Sequence, residues 1–149
     1  MEIRDVKEQH TLALRYTTPV SRLSETMGNF YNEIAAYMQQ NGIPFAGAPF
    51  ALYHNMDMEA LDVEIGFPVP KPVKGNDRFQ AGSLPGGKTL YTLYTGPYSE
   101  MEKPYSELMD HIQKHKLKTA SICYECYLND PATTPEKELQ TEIYFPLED

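Results

Sequence analysis

Residues 64–69 read EIGFPV and residues 142–147 read EIYFPL, the same pattern repeated at an offset of 78 residues. The same offset relates an earlier pair of runs: Thr11-Leu12, Tyr16-Thr17, Pro19 and Ser21 recur as Thr89-Leu90, Tyr94-Thr95, Pro97 and Ser99. Two matched runs at one offset indicate a duplicated supersecondary unit. The sequence therefore predicts two equivalent lobes, with a groove between them that suits a ligand.

Each repeat predicts a strand or hairpin, then a helix, then two further strands. In the first half the strands cover 11–17, 50–55 and 61–69, and the helix covers 21–40. In the second half the strands cover 79–84, 88–95, 122–128 and 139–147, and the helix covers 102–115. The predicted fold class is α+β, with two duplicated strand–helix–strand–strand modules. Each module is expected to form an antiparallel sheet with a helix on one face, and the ligand cleft lies between the halves.

The chain of 149 residues has the size of one domain over 1–149. The segment 71–78 contains Pro72, Gly75 and the turn-forming pair Asn76-Asp77, which predicts a linker between pseudo-repeats 1–70 and 79–149. The formal charge of -8 argues against direct nucleic-acid binding, which needs clustered Lys and Arg. No run approaches the roughly 20 apolar residues of a membrane span, and no signal peptide is evident. We expect a cytoplasmic protein that does not bind membranes.

The residues that most often hold metals or perform redox chemistry are sparse. Cys123 and Cys126 form a C-x-x-C on a predicted strand, where residues three apart point to opposite faces. Buried, reduced thiols are therefore favoured over a disulfide or a zinc site. His111 and His115 are four apart on a helix and could share a metal, but a solvated helix face is favoured. The sequence predicts no metal and no cofactor.

Alternation along the repeated strand separates its side chains into two sets. Ile143 and Phe145 share the face that is expected to meet the helix, whereas Glu142 and Tyr144 share the other. Glu64 and Gly66 are the first-half equivalents of Glu142 and Tyr144. Because strands disfavour Glu, two glutamates at equivalent positions indicate either a solvated face or a ligand groove. In the second interpretation, Gly66 leaves room opposite Tyr144.

The chain has 11 Tyr and no Trp. Tyr16 and Tyr94 are repeat equivalents, Tyr98 precedes the second helix, and Tyr53 and Tyr127 lie on equivalent strands. These tyrosines could be ordinary core or sheet aromatics. Alternatively, several of them line a groove with a glutamate at its base, which suits flat, apolar or cationic molecules.

Four motifs carry a family resemblance: VEIGFPV at 63–69, GPY at 96–98, CYLNDP at 126–131 and TEIYFPL at 141–147. Together they resemble the GyrI-like small-molecule-binding family, which includes effector-binding domains of multidrug-responsive MerR- and AraC-type transcription regulators. The resemblance implies tandem SHS2-like modules around an aromatic cleft. It implies that Glu142 is the pocket glutamate and that Tyr98, Tyr127 and Tyr144 are aromatic pocket positions.

The favoured function is binding of small hydrophobic or cationic molecules, for drug or toxin sensing or sequestration. Because no DNA-binding module precedes the first strand, the chain resembles the stand-alone members of the family. One alternative is a hydrolase of cyclopropane-type electrophilic toxins, with Glu142 and Tyr144 as catalytic residues. A second alternative is a gyrase-inhibitor-like protein that binds a macromolecular partner.

Overall fold

The structure is a computed structural model that describes residues 1–148. Its strands are β1 Glu2–Val6, β2 Gln9–Thr18, β3 Phe50–Tyr53, β4 Leu61–Pro68, β5 Gln80–Leu84, β6 Gly87–Thr95, β7 Cys123–Tyr127 and β8 Gln140–Pro146. Helix α1 spans Leu23–Gln40 and helix α2 spans Glu102–Lys114. Short 3-10 turns over Val20–Arg22 and Tyr98–Glu100 lead into the two helices. The predicted strands and helices are confirmed, with shifts of a few residues at their ends.

The eight strands form one continuous antiparallel sheet in the order β1-β6-β8-β7-β3-β4-β2-β5. The expectation of two separate sheets is therefore wrong. Strands β3 and β7 pair across the middle, with Phe50 opposite Cys126 and Tyr53 opposite Cys123. This pairing satisfies backbone groups that would otherwise form exposed edges on each half.

Strand β1 was not predicted. Strands β1 and β5 each pair with a strand of the other half of the chain. β1 pairs with β6 of the second half, whereas β5 pairs with β2 of the first half. Four of the five residues of β1 are exposed, so this strand lacks the apolar alternation that reveals a half-buried strand. The exchange interlocks the two halves, because each half completes the sheet of the other.

The helices pack on one face of the sheet, and the core beneath them has two parts. Ile34 and Met38 of α1 pack on a cluster that includes Ile65 and, partly buried, Phe67. Leu108 of α2 packs on a cluster formed with four strand residues: Leu90, Cys123, Ile143 and Phe145. The prediction that the apolar pair of each repeated strand faces its helix is confirmed.

The opposite face of the sheet is also buried, although no helix residue belongs to its cluster. This cluster contains Ala13, Phe50, Leu52, Leu84 and Tyr124. Because a flat sheet would leave these side chains in water, their burial reflects the curl of the sheet. Within residues 1–148, no helix is long and apolar enough to cross a membrane.

Gly66 of β4 pairs with Ala13 of β2 in the sheet. A Cβ at this position would be 2.1 Å from Leu12 O and 2.7 Å from Ala13 Cα. The backbone of β2 therefore fills the space that a side chain would need. The expectation that Gly66 opens room in a ligand groove is wrong, because the glycine is required by the packing of the two strands.

Candidate functional site

Glu125 lies in the middle of the sheet and faces the helices. It stands on β7 opposite Ala51 of β3 and Ile143 of β8, and Ile143 belongs to the core beneath α2. Directly opposed residues of neighbouring strands share a face, so Glu125 points to the same side. Its side chain is only 6% exposed. A carboxylate thus occupies a position where the strand pattern predicts an apolar residue.

Two tyrosine hydroxyls hold the Glu125 carboxylate. Tyr105 of α2 donates a hydrogen bond to Oε2, and Tyr127 of β7 donates one to Oε1 at 2.8 Å. In the part of the chain that the structure describes, no Lys, Arg or His forms an ion pair with it. Burial raises the pKa of Glu125, and the two tyrosine hydrogen bonds partly oppose this shift. The side chains that donate hydrogen bonds to the carboxylate are therefore both neutral.

Two more tyrosines lie within reach of the Glu125 charge. Burial raises the pKa of Tyr31 on α1 and of Tyr53 on β3, and the nearby Glu125 charge adds to both shifts. The Tyr31 hydroxyl donates to Phe50 O at 2.5 Å, which fixes its ring against the sheet. Two tyrosines, Tyr105 and Tyr127, thus contact Glu125, and two more, Tyr31 and Tyr53, lie close enough for its charge to raise their pKa values.

The predicted site residues divide between the two faces of the sheet. On the helix side, Tyr98 packs on Tyr127 with ring centroids 5.7 Å apart. Tyr16 lies on the same side, where its hydroxyl bonds Thr26 Oγ1 at 2.7 Å. The residues on the opposite side are Glu64, Gly66, Glu142 and Tyr144, so the predicted set does not form one cleft.

Glu142 belongs to a closed aromatic network on that opposite face. Tyr91 donates a hydrogen bond to Glu142 Oε2 at 2.8 Å, and the Arg4 guanidinium lies 3.6 Å from the centre of the Tyr91 ring. Tyr144 stacks on Tyr124 with centroids 4.6 Å apart and planes 11° apart. Glu142 therefore accepts one tyrosine hydrogen bond, whereas Glu125 accepts two. Arg4, the cation over the Tyr91 ring, is itself paired with Glu2 at 2.8 Å.

The remaining predicted residues lie apart from Glu125. Glu64 contacts His54, with Oε1 3.0 Å from Nε2. Tyr94 donates to Pro97 O at 2.9 Å and borders an open surface depression that carries four carboxylates: Glu100, Glu102, Glu107 and Asp110. Cys123 and Cys126 belong to clusters on opposite faces, and both thiols are free.

A small cavity lies on the helix side of the sheet, close to Glu125. Its volume is about 140 Å³. Tyr53 lines it, as does Phe145, whose ring packs against Tyr105 at 6.0 Å. Cys123, two residues before Glu125 on the same strand face, also lines it. The cavity is therefore related to Glu125 through Tyr53, whose pKa the Glu125 charge raises, and through Phe145, which packs on the Tyr105 ring.

The sequence interpretation missed Glu125, Tyr105 and Tyr31. A usable signal exists in the stretch CYECY at 123–127, where a glutamate interrupts a strand of otherwise apolar or aromatic residues. Alternation places this glutamate on the face opposite to Tyr124 and Cys126. An acidic residue that shares a strand face with a cysteine predicted to be buried is itself predicted to be buried, and a buried acidic residue indicates a site more directly than one that water can reach.

The fold has known relatives among solved structures. It is similar to EcmrR in a complex with DNA, with a TM-score of 0.87 and 19% identity over 99% of this chain and 57% of that chain. It is also similar to the isolated C-terminal domain of EcmrR, with a TM-score of 0.79 and 19% identity over 99% of this chain and 96% of that one. The chain thus spans 57% of the length of EcmrR as seen with DNA.

Two further relatives carry other descriptions. A hydrolase from Listeria innocua has a TM-score of 0.65 and 14% identity over 99% of this chain and 91% of that one. SAV2435, solved with tetraphenylphosphonium, has a TM-score of 0.64 and 11% identity over 99% of this chain and 93% of that one. Identities this low establish a shared fold only.

The sequence itself gives the family. No curated protein matches it. The profile of the GyrI-like small molecule binding domain, however, matches residues 1–148, which is nearly the whole chain. The resemblance found in the sequence motifs is thereby confirmed, and the chain belongs to the GyrI-like small-molecule-binding domain family.

Proposed function

We propose that this domain binds lipophilic organic cations, with Glu125 as the anionic anchor of the site. The observation that carries this proposal is a carboxylate that is 6% exposed, held by two tyrosine hydroxyls, and without an ion-pair partner in residues 1–148. A buried charge without a counter-charge is costly, whereas a bound cation would offset that cost.

The surrounding tyrosines favour an organic cation over a metal ion. Their ring faces attract delocalised or quaternary cations, and their edges provide the apolar contact that such ligands need. Among the described residues, no group of three or more His, Cys, Asp or Glu is arranged to hold a metal. The tetraphenylphosphonium bound to SAV2435 is a ligand of the same chemical class, which supports the proposal.

Glu125 is a better anchor than the predicted Glu142. Glu142 is half-buried and accepts a hydrogen bond from Tyr91, whereas Glu125 is 6% exposed. A cation gains less at Glu142, because water already stabilises a partly exposed carboxylate and screens its attraction to a ligand. Glu125 has two neutral donors.

Two matched variants test this assignment. Calorimetric titration with phenylpropyltrimethylammonium should show that Glu125→Gln weakens binding by about 30-fold or more, as expected when one partner of a buried charge pair is removed. Glu142→Gln should bind within about twofold of the unmodified protein. The uncharged 3-phenylpropanol should bind both variants similarly. Equal losses in the two variants, or unchanged cation binding in Glu125→Gln, would contradict the proposal.

We further propose that binding serves sensing or sequestration of drugs or toxins. The support is the likeness to the C-terminal domain of EcmrR and, over 57% of its length, to EcmrR in its complex with DNA. A domain of two SHS2-like repeats, 1–70 and 79–149, joined by 71–78, remains part of this proposal. Its support is the sheet order, which reads the same from both ends when the halves are exchanged.

The Tyr105–Glu125 hydrogen bond also supports a hydrolase as a second candidate. Glu125 would take a proton from water while the water oxygen bonds to a carbon of a strained ring. The ring C–C bond would break, its electron pair would take a proton from Tyr105, and Glu125 would return a proton to the phenolate. Mass spectrometry of a cyclopropane-bearing electrophile should then show addition of one water, lost in Glu125→Gln. Saturable binding without this product excludes the hydrolase.

A further inference from the structure

We infer that the cavity beside Glu125 is a second subsite, which accepts one benzene-sized apolar group of a cation whose charge lies at Glu125. The cavity has a volume of about 140 Å³. An apolar cavity of about 150 Å³ holds a single benzene molecule, so the volume suits one aryl ring. This inference rests on the proposed function and deepens it by naming the ligand class: a monocation with one aryl arm.

The cavity is lined mostly by apolar side chains, with Asn55, Thr119 and Ser121 as its polar members. Met56 and Met109 stand on its outer side, 52% and 43% exposed, whereas Cys123 and Phe145 form its buried side. Methionine has three flexible torsions and a polarisable sulfur that makes favourable contacts with aromatic rings. Two half-exposed methionines can therefore move aside to admit a ring and then close on it.

The spacing between the cavity and the carboxylate fixes the shape of the ligand. Cys123 and Glu125 are two residues apart on the same face of β7, which places their backbones about 7 Å apart. Tyr53 lines the cavity and is close enough to Glu125 for that charge to raise its pKa. A short aliphatic chain between an ammonium group and an aryl ring spans this distance.

The two ends of the helix-side face differ in how they are filled. Met109 lies 78 positions after Tyr31 and is its repeat equivalent, just as Phe145 is the equivalent of Phe67. Tyr31 and Phe67 pack on each other at 5.7 Å, and Phe45 covers Phe67 at 4.6 Å. The aromatic side chains that fill one end are thus replaced at the other by Met109 and a cavity.

Affinity differences test the subsite. Phenylpropyltrimethylammonium should bind about tenfold to a hundredfold more tightly than tetramethylammonium, because burial of an aryl ring adds to the same cationic contact. Ala120→Phe, which places a ring in the cavity, should remove most of this difference and leave tetramethylammonium binding unchanged. Met58→Phe is the control, since Met58 is 50% exposed and does not line the cavity.

Methyl NMR of the unmodified protein is a second test of the subsite and requires no variant. With ¹³C-methyl methionine, the aryl cation should shift the Met56 and Met109 signals by its ring current, and the Met58 signal should stay in place. If both cations bind through Glu125 equally well and neither Met56 nor Met109 shifts, the subsite is wrong while the proposed function stands. If neither cation binds, both are overturned.

Discussion

The hydroxyl of Tyr105 on α2 donates a hydrogen bond to Glu125 on the central strand β7. Among residues 1–148, Glu125 is the only buried side chain that can carry a full charge at neutral pH. Helix α2 is thus bonded directly to the least solvated carboxylate that the structure describes. Any change in the charge of Glu125 should affect both the stability of the fold and the binding of cations.

The stability of the protein should depend on the protonation of Glu125. Because burial raises its pKa in the folded state, the folded state binds more protons than the unfolded state across this window. The free energy of unfolding should therefore fall as the pH rises from the unfolded pKa through the folded pKa. Glu125→Gln should remove this loss and raise the melting temperature at neutral pH, but not at acidic pH.

Thermal unfolding from about pH 4 to pH 8 checks this expectation against the usual carboxyl pKa. Glu64→Gln serves as the control, since Glu64 is half-buried beside His54 rather than enclosed by tyrosines. A lower melting temperature of Glu125→Gln at neutral pH would show that the ionised carboxylate stabilises the fold.

At neutral pH, Tyr105→Phe should destabilise the protein, whereas Glu125→Gln should stabilise it. The substitution removes one of the two donors to Glu125, so the loss should be about 1–3 kcal/mol while the carboxylate is charged. The loss should shrink at acidic pH, because a protonated Glu125 needs that donor less. Chemical denaturation of the single variants and of Tyr105→Phe combined with Glu125→Gln measures the coupling. An additive double variant would contradict the link between the two residues.

Cation binding should release a proton from the site. A bound cation favours the ionised form of Glu125 and so lowers a pKa that burial had raised. Affinity should therefore increase as the pH rises through the pKa of the free protein and then level off. Calorimetry with phenylpropyltrimethylammonium, in two buffers of different ionisation enthalpy, measures the proton directly. The same enthalpy in both buffers throughout that pH range would contradict this prediction.

The sequence predicted the helices and seven of the eight strands well, because helical periodicity marks the helices, and β-branched and aromatic runs bounded by turn residues mark the strands. It could not reveal the pairing of β3 with β7, which satisfies backbone groups and leaves no periodic trace. Nor could it separate the two faces by function. Whether the Glu142 or the Glu125 face is open to a ligand depends on what the curled sheet and helices cover.

The offset of the sequence repeat hides which residue of the first half corresponds to Glu125. Gly66 opposes Phe50 and its equivalent Tyr144 opposes Tyr124, so the residues of β3 and β7 correspond at an offset of 74 rather than 78. A fixed offset of 78 aligns β4 with β8 correctly but misaligns β3 with β7. At the true offset, Glu125 corresponds to Ala51. The charge is therefore unique to the second half, which an alignment of conserved repeat positions would never show.

The two glycines at positions 66 and 28 should respond in opposite ways to alanine. At Gly66 the new Cβ would lie 2.1 Å from Leu12 O, so strands β2 and β4 must separate. We expect a loss of stability of about 3 kcal/mol or more, comparable with severe overpacking, or failure to fold. At Gly28, within α1, a Cβ meets nothing within 4 Å. Because alanine favours a helix, Gly28→Ala should gain about 1 kcal/mol.

Urea denaturation of both variants measures these changes, and a soluble expression test covers Gly66→Ala if it does not fold. The comparison also tests whether the packing of β2 and β4 excludes a side chain at position 66. If Gly66→Ala were as stable as the unmodified protein, the strands would be looser than the Leu12 contact implies. A side chain could then fit at this position, and the face that carries Glu142 would regain the space first predicted for a ligand groove.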